Sequence, residues 1–261
     1  MPRYSANLGF LFADRPHVER IRAAAQAGFR AVEMHWPYDV PAEEIRSVLR
    51  ECDVAMLGIN TPVGNAAAGD FGLAAIRGRE QEFQAAVDRS LAYAEAIGAT
   101  ALHCMAGVVT EERSAAEAVF IDNIRRAADK ASAAGVTILI EPINGRDKPN
   151  YFLSRIDQAA EIIAATQRSN VRILFDCYHT QITEGDLSHK LVSYLPLIGH
   201  VQIAAVPSRA EPDEGEINYP ALMDLLDAKG YEGWVGAEYK PRGRTEDGLG
   251  WLKQWSGSKR S

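Results

Sequence analysis

Hydrophobic residues occur along the chain in two alternating patterns. Short runs rich in Val, Ile and Leu, several of them apolar on both faces, are typical of strands in a parallel sheet that is covered on both sides. Between them lie longer segments with the spacing of amphipathic helices. The predicted strands are residues 4–10, 31–35, 55–60, 101–105, 136–141, 171–176, 200–204 and 234–238. The predicted helices are residues 16–27, 42–51, 78–97, 115–134, 156–166, 186–194 and 219–229, and an eighth helix follows Thr245.

Eight strand–helix pairs of this kind form either a closed barrel or an open, doubly wound sheet. An open sheet of the dinucleotide-binding type has a GxGxxG loop after its first strand, whereas residues 7–10 here read NLGF. Glycines that end a helix in the left-handed conformation follow four predicted helices, at Gly28, Gly98, Gly135 and Gly230. The 261 residues contain no Pro-, Ser- or Gly-rich linker and match the length of one such barrel. We therefore predict an α/β fold, a single (β/α)₈ TIM barrel, as one domain over residues 1–261.

The amino-acid composition limits the kinds of molecule that the chain can be expected to bind. Hydrophobic residues make up 47% and charged residues 24% of the chain, which is ordinary for a folded globular protein. The net charge of −7 disfavours a nucleic acid, because that binding depends on Lys and Arg neutralising phosphates. No run approaches the roughly 20 apolar residues of a membrane span, and no apolar signal segment follows Met1. We expect a cytoplasmic protein with a small-molecule substrate and no membrane or nucleic-acid partner; a homo-oligomer is left open.

Oxygen-bearing side chains end the last four predicted strands, at Glu141, Asp176, Gln202 and Glu238. In a (β/α)₈ barrel the carboxyl ends of the strands form the mouth where ligands bind, so all four side chains can point toward the barrel axis. Three carboxylates at one mouth would repel one another unless a cation neutralised them. Oxygen ligands favour Mg²⁺ or Mn²⁺, with zinc and cobalt left as alternatives. For a single acid, capping of the next helix or pairing with a nearby Arg explains the position equally well.

Four further polar residues are candidates for substrate binding. His179 follows Asp176 by three residues, in a loop predicted to leave the same strand, and can contact either substrate or a metal-bound group. Arg209, in the long polar loop after the seventh strand, and Lys240 can supply positive charge for an anionic substrate, or they can be solvated surface charges. His103, on the fourth strand, either lines the pocket or is a hydrogen-bonded core histidine.

Short motifs spread over nearly the whole chain form a distinctive combination. They are residues 60–62 (NTP), 68–72 (AGDFG), 105–107 (MAG), 141–144 (EPIN), 149–153 (PNYFL), 176–179 (DCYH), 201–204 (VQIA), 215–219 (GEINY) and 238–243 (EYKPRG). With these motifs the chain resembles the hydroxypyruvate isomerase family, within the wider xylose-isomerase-like group of barrels. The resemblance implies a metal held by Glu141, Asp176, Gln202 and Glu238, with Glu141 and Glu238 as the catalytic acid/base pair. The implied reaction interconverts hydroxypyruvate and tartronate semialdehyde by proton transfer through an enediolate that the metal stabilises.

Two departures from related barrels bear on the substrate. Gln202 stands where related sugar 3-epimerases and metal-dependent endonucleases carry a histidine, which favours the isomerases. His35 and Trp36 differ from the smaller or purely apolar residues expected after the second strand, so the exact substrate stays open. A 2-oxo-tetronate isomerase or a ketose 3-epimerase would use the same ligands on a longer substrate. An endonuclease would need further histidines and a basic groove, and a barrel that only binds a metabolite would not need both glutamates.

Overall fold

The computed structural model describes residues 2–110 and 112–257 and shows a closed barrel whose eight parallel strands follow one another in chain order. The strands are β1 (Arg3–Asn7), β2 (Ala31–Met34), β3 (Ala55–Asn60), β4 (Ala101–His103), β5 (Thr137–Ile140), β6 (Val171–Asp176), β7 (Ile198–Ile203) and β8 (Trp234–Ala237). The barrel closes where β1 pairs with β8, with Arg3 opposite Trp234 and Ala6 opposite Ala237. The predicted closed (β/α)₈ barrel is therefore confirmed.

Helices surround the barrel and cover its outer face. They are α1 (His17–Gln26), α2 (Ala42–Cys52), α3 (Glu80–Ile97), α4 (Arg113–Ala133), α5 (Ile156–Thr166), α6 (Cys177–Thr183), α7 (Leu187–Tyr194), α8 (Tyr219–Ala228) and α9 (Gly250–Gly257). Short 3₁₀ turns occur at Ala66–Ala68, Leu195–Leu197 and Thr245–Gly248. None of the helices in the part of the chain that the structure describes combines the length and apolar composition needed to cross a membrane.

The helix α2 shows how the sequence produces this layer. Ile45, Val48 and Leu49 recur at helical spacing and are buried against the barrel. Glu43 and Glu44 occupy the first turn, where negative charge interacts favourably with the helix dipole. Burying each of the three apolar side chains contributes about 1.5–3 kcal/mol before conformational entropy is counted. The apolar face of the helix, rather than its ends, therefore fixes its place on the barrel.

The sequence did not predict α6, which occupies the segment treated as a loop after β6. The carboxylate of Asp176 caps this helix, since its Oδ1 accepts a hydrogen bond of 2.7 Å from the backbone N–H of Tyr178. A helix of seven residues is too short for its periodicity to be recognised beside a strand. His179 is therefore held on a helix, directly above the end of β6, rather than on a free loop.

Several strands end earlier than predicted because the chain leaves the ladder to build the mouth. β5 ends at Ile140 and β8 at Ala237, each one residue before a glutamate of the predicted site. Glu238 remains attached to the sheet, since its N–H donates to the carbonyl of Ile203 at 3.2 Å. Glu238 thus lies where the backbone geometry is still set by the barrel, and Glu141 directly follows the last paired residue of β5, Ile140.

An aromatic cluster packs beneath the end of β8. Trp251 of α9 is fully buried and makes an edge contact with Tyr4, with ring centroids 5.4 Å apart. Its Nε1–H also donates to the hydroxyl of Tyr239 at 3.3 Å. Such aromatic pairs contribute about 0.5–1.5 kcal/mol beyond the area they bury. Because Tyr239 follows Glu238 directly, this packing holds the strand end that carries the glutamate.

Candidate active site

The four residues predicted to bind a metal converge at the mouth of the barrel. Glu141, Asp176 and Glu238 are buried, and each offers a carboxylate oxygen, with all of these atoms and a ring nitrogen of His179 lying within 4.8 Å of one another. Gln202 is also buried and donates from Nε2 to Glu238 Oε1 at 3.3 Å. The structure thus brings together side chains from the ends of four consecutive strands, as predicted from the sequence.

Three oxygens of this cluster have no hydrogen-bond partner among residues 2–110 and 112–257. They are Oε1 of Glu141, Oδ2 of Asp176 and Oε1 of Gln202, all completely buried. Buried polar atoms are nearly always paired, and an unpaired one costs about 1–3 kcal/mol. A hard divalent cation accepts oxygen ligands of this kind and would satisfy all three at once. The residues present therefore fit a metal ion.

The electrostatics of the carboxylates differ sharply. Burial, together with the charges of Glu238 and Asp176, raises the pKa of Glu141 well above its usual value. Burial and the charge of Glu238 raise the pKa of Asp176 to about 7. Burial also acts to raise the pKa of Glu238, but the hydrogen bond from His35 and the charge of Arg209 outweigh it and lower that pKa to about 2. The protein's own groups thus favour the ionised form of Glu238, whereas they favour the protonated form of Glu141.

Arg209 lies inside the cluster and partly neutralises it. Its Nη2 donates to Glu238 Oε2 at 2.8 Å and its Nη1 donates to Asp147 Oδ2 at 3.1 Å. The guanidinium also lies 4.9 Å from the ring centroids of both Phe10 and Tyr178, a cation–π contact on each side. Sequence analysis left open whether Arg209 is a solvated surface charge, and the structure shows that it is not.

The backbone at Arg209 is in an uncommon conformation that the loop holds in place. Its φ angle is 55°, in the left-handed region that costs a residue with a Cβ about 1–2 kcal/mol. The N–H of Arg209 donates to the carbonyl of Ala205, and its carbonyl accepts from the N–H of Lys240, both at 2.7 Å. The first bond closes a turn within the loop after β7, and the second ties that loop to the segment after β8, so together they aim the guanidinium at Glu238.

The hydrogen bonds of His179 define which ring nitrogen faces the cluster. Asn144 Nδ2 donates to His179 Nδ1 at 2.5 Å, and Asn144 Oδ1 accepts from the N–H of Asp147 at 2.8 Å, which fixes the orientation of the amide. Burial, aided by the charge of Arg209, lowers the pKa of His179 to about 3, so the ring is neutral. With Nδ1 accepting, the proton is on Nε2, which lies 3.6 Å from Asp176 Oδ2. His179 therefore presents a hydrogen-bond donor rather than a metal-binding lone pair.

A cavity of about 460 Å³ opens above the carboxylates. This mouth cavity has an apolar wall formed by Phe10, Trp36 and Phe71, and its floor includes Glu141 and Glu238. His103, His179, Arg209, Lys148 and Lys240 also line it. Its size and its few polar groups within an apolar wall are typical of a small-molecule site.

The comparisons with known proteins agree with this geometry. Residues 21–255 match the family described as xylose isomerase-like TIM barrel. The chain belongs to this family. It is 46% identical to the 2-oxo-tetronate isomerase of Cupriavidus necator, over 98% of this chain and 100% of that protein. It is 40% identical to the hydroxypyruvate isomerase of Escherichia coli, over 97% of this chain and 98% of that protein. The resemblance predicted from the motifs is therefore confirmed.

A solved structure of the family has nearly the same backbone. It is described as an AP endonuclease, family 2, from Brucella melitensis, with 46% sequence identity and a TM-score of 0.95. The superposition covers 97% of this chain and 99% of that chain. The two proteins therefore share the same barrel architecture.

Two residues predicted to bind substrate occupy different parts of the mouth. His103 is buried on β4, where burial lowers the pKa of its ring to about 4, so the ring is neutral. Its Nδ1 lies 3.6 Å from Glu141 Oε2, and its Nε2 has no hydrogen-bond partner among the described residues. Lys240, by contrast, lies exposed at the rim of the mouth cavity. His103 thus lines the mouth cavity and is not a fully hydrogen-bonded core histidine.

Sequence reasoning missed three residues that surround Glu238 and Gln202. Asn7 Nδ2 donates to Glu238 Oε1 at 2.9 Å. Glu33 and His200 form a buried pair with His200 Nε2 3.0 Å from Glu33 Oε1. The sequence does contain a signal for Glu33, because it is an acid within the apolar segment 31–34. An acid in a buried strand almost always has a partner, so Glu33 could have been identified as a candidate.

His35, which departs from the expected pattern after β2, contacts Glu238. Its Nε2 lies 3.0 Å from Glu238 Oε1 and accounts for much of the lowered pKa of that carboxylate. A Cβ at Gly9 would lie 2.2 Å from His35 Nδ1, so only glycine leaves room for the ring. The unusual residue at position 35 is thus part of the site.

Proposed function

We propose that this protein is a divalent-metal-dependent isomerase of short 2-oxo acids, with hydroxypyruvate and tartronate semialdehyde as the pair that it interconverts. The observation that carries the proposal is the set of three unpartnered, buried oxygens on Glu141, Asp176 and Gln202 at the floor of the mouth cavity. Two relatives support the proposal, because one is named 2-oxo-tetronate isomerase and the other hydroxypyruvate isomerase. Mg²⁺ or Mn²⁺ is the proposed ion, because every proposed ligand offers oxygen.

The chemistry needs a proton moved between neighbouring carbons of an α-hydroxy carbonyl compound. When bound, the cation supplies positive charge that stabilises the negative oxygens of the enediolate. Glu141 and Glu238 directly follow β5 and β8, two strands that do not pair with each other, so the two carboxylates approach the substrate from different positions around the mouth, and we assign one to remove the proton and the other to return it. We assign His179 Nε2–H as a donor to a substrate oxygen, and His103 as a second contact on the same floor. The apolar wall of the mouth cavity limits the access of water to the reacting carbons.

Two lysines favour an acid over a neutral ketose as substrate. Lys148 and Lys240 both line the mouth cavity, and neither forms an ion pair with any residue in the ranges 2–110 and 112–257. Lys148 Nζ lies 4.0 Å from the ring centroid of Phe71, which keeps the ammonium group beside the cavity. A substrate carboxylate would pair with these cations, whereas a ketose 3-epimerase has no need of them.

Replacing Lys148 by Met is expected to raise KM for the oxo acid by about tenfold. A hydrogen bond to a charged group contributes about 1.5–3 kcal/mol, and a partly exposed bond of this kind contributes less, whereas a tenfold change corresponds to about 1.4 kcal/mol. The value of kcat should change little, because the lysine contacts the unreactive carboxylate. Steady-state kinetics provide the measurement, with Lys229→Met as the control at an exposed helix end. An unchanged KM in both Lys148→Met and Lys240→Met would contradict a role for these cations in binding.

The decisive test of the proposed function is a substrate panel. Purified protein is assayed with hydroxypyruvate, 2-oxo-tetronate and a neutral ketose, each with added Mg²⁺ or Mn²⁺ and each after treatment with chelator. We expect isomerisation of an oxo acid that disappears with the chelator and returns with either cation. Activity confined to the ketose, or full activity in chelator, would overturn the proposal.

A second candidate substrate is 2-oxo-tetronate, which is one carbon longer. The relative that is 46% identical is named for it, and the mouth cavity of about 460 Å³ has room for another hydroxymethylene group. The same panel separates the two acids through their kcat/KM values.

The endonuclease description of the similar solved structure is not adopted for this chain. Binding to DNA draws on Lys and Arg that neutralise phosphates, whereas this chain has a net charge of −7. The carboxylates also lie buried at the base of a cavity, with Glu141 and Glu238 each 6% exposed. Nuclease assays with an abasic duplex, expected to be negative, complete the panel.

A further inference from the structure

We infer that Glu33 is a positioning residue for Gln202. Its carboxylate holds the side-chain amide of Gln202 so that the nitrogen faces Glu33 and the oxygen is free to bind the metal. The inference rests on the proposed function, because it assigns a role toward the proposed cation. Neither the sequence motifs nor the names of the relatives assign any role to Glu33. It lies on β2, outside the four strands that supply the proposed ligands.

The contacts of Gln202 leave only one orientation of its amide. Gln202 Nε2 donates to Glu33 Oε2 at 2.7 Å and to Glu238 Oε1 at 3.3 Å. Both partners are carboxylates, and an ionised carboxylate only accepts hydrogen bonds. The NH₂ group must therefore face them, and Oε1 must face away. That oxygen is completely buried and has no hydrogen-bond partner in the part of the chain that the structure describes.

Without Glu33, the orientation of the amide would be weakly determined. The bond to Glu238 is the longer of the two, and Glu238 Oε1 also accepts from Asn7 at 2.9 Å. An amide offers oxygen on one side and NH₂ on the other, so a turn of the group would present a donor to the cation. A carboxylate or a histidine at position 202 would be less prone than an amide to present a hydrogen-bond donor to the cation. The need for an orienting acid therefore follows from the use of glutamine as a ligand.

The surroundings of Glu33 hold its carboxylate in place. His200 Nε2 lies 3.0 Å and 3.2 Å from its two oxygens, and Ser5 Oγ donates to Oε1 at 3.1 Å. A Cβ at Gly236 would lie 2.1 Å from Glu33 Oε1, so β8, which is separated from β2 by β1, leaves space for this group by carrying glycine. In the sheet, Gly236 is the partner of both Ser5 and Gln202.

Stability alone is a poor explanation for this buried group. A buried ion pair gains little net free energy, because the desolvation of its charges offsets their attraction. Groups that orient metal ligands, by contrast, commonly change metal affinity by 10- to 100-fold when they are replaced. The Glu33–His200 pair lies beside the proposed ligands, along the wall of a cavity of about 130 Å³ that also contacts Gln202 and Glu238.

The test compares Mn²⁺ affinity in the full-length protein after its metal has been removed with chelator. In Glu33→Gln the new amide can either accept from Gln202 or donate to it, so the ligand oxygen is no longer fixed. We expect Mn²⁺ to bind about 10- to 100-fold more weakly by calorimetric titration. Thermal unfolding in chelator measures folding separately. Ser5→Ala removes another hydrogen bond of Glu33 without giving Gln202 a new partner, and it should retain wild-type affinity.

An exchange variant separates orientation from a merely structural role. In the double variant Glu33→Gln with Gln202→Glu, the amide at position 33 donates to a carboxylate that presents oxygen in either orientation. Its Mn²⁺ affinity should return to the wild-type range, which gives a large coupling between the two positions. If Glu33→Gln does not fold, Glu33→Asp replaces it, since the shorter side chain keeps the charge but withdraws the carboxylate from Gln202.

The outcomes distinguish this inference from the proposed function. If the wild-type protein binds no Mn²⁺, the proposed metal site is wrong. If the wild type binds Mn²⁺ and the Glu33 variants bind it equally well, the orienting role is overturned. A loss of affinity that the exchange variant does not restore also overturns it, because Glu33 would then support the fold and not the amide.

Discussion

Replacing Glu141 by Gln is expected to lower kcat by at least about 100-fold, and so is replacing Glu238 by Gln, since general acid–base catalysis contributes about 10²–10⁴-fold. Glutamine keeps the size of the side chain and one ligand oxygen but cannot accept or return a proton. Circular dichroism and thermal unfolding should show that both variants fold. Glu184→Gln is the matched control, because Glu184 is a buried acid that pairs with Lys190 outside the mouth.

The double variant is expected to cost hardly more than either single replacement. The two glutamates act in one proton transfer, so the loss of either group already stops the reaction. If either single variant keeps more than about a tenth of the wild-type kcat, a loss below about 1.4 kcal/mol, that residue is not part of the acid/base pair.

The barrel and the convergence of its ligands were predictable because both follow from short-range patterns. Each strand appears as an apolar run, and each proposed ligand follows or ends such a run, as Glu141 follows Ile140. Once eight such runs close in chain order, residues at their carboxyl ends must meet at one mouth. The identity of the residue and its place at the end of a strand therefore carry the prediction.

The charge balance of the site was not predictable, because it depends on partners far apart in the sequence. Arg209 and Glu238 are 29 residues apart, and His35 and Glu238 are 203 apart, yet these contacts set the low pKa of Glu238. The sequence left Arg209 either as a cation for the substrate or as a solvated surface charge. The structure ties both of its Nη atoms to carboxylates and leaves only Nε without a partner. We therefore expect an Arg209→Met variant to lose kcat as well as substrate affinity.

Glu33 shows a second limit of sequence reasoning. An acid inside a buried strand signals a special environment, but the sequence does not say which neighbour it serves. The neighbour is Gln202, 169 residues away, on a strand that does not pair with β2. Contacts across the barrel interior require the closed structure, whereas contacts between adjacent strand ends follow from chain order.

Metal affinity is expected to fall steeply as the pH is lowered through about 7. Burial and the charge of Glu238 raise the pKa of Asp176 to about 7, and burial with its acidic neighbours also raises the pKa of Glu141 well above its usual value. A cation binds only the ionised carboxylates, so it must displace the protons that these groups hold before it binds. Above the raised pKa there is no proton to displace; below it, each displaced proton weakens the apparent affinity about tenfold per pH unit.

This expectation has a direct measurement and a matched control. Calorimetric titration with Mn²⁺ between about pH 6 and pH 8, in buffers of different ionisation enthalpy, counts the protons released. Asp176→Asn removes one titrating group but keeps a ligand oxygen, so the variant should bind more weakly and release one proton fewer. A wild-type affinity that does not change with pH over this range would contradict the link between metal and protons. It would mean that the carboxylates are already ionised, with Arg209 as a sufficient counter-charge for the whole cluster.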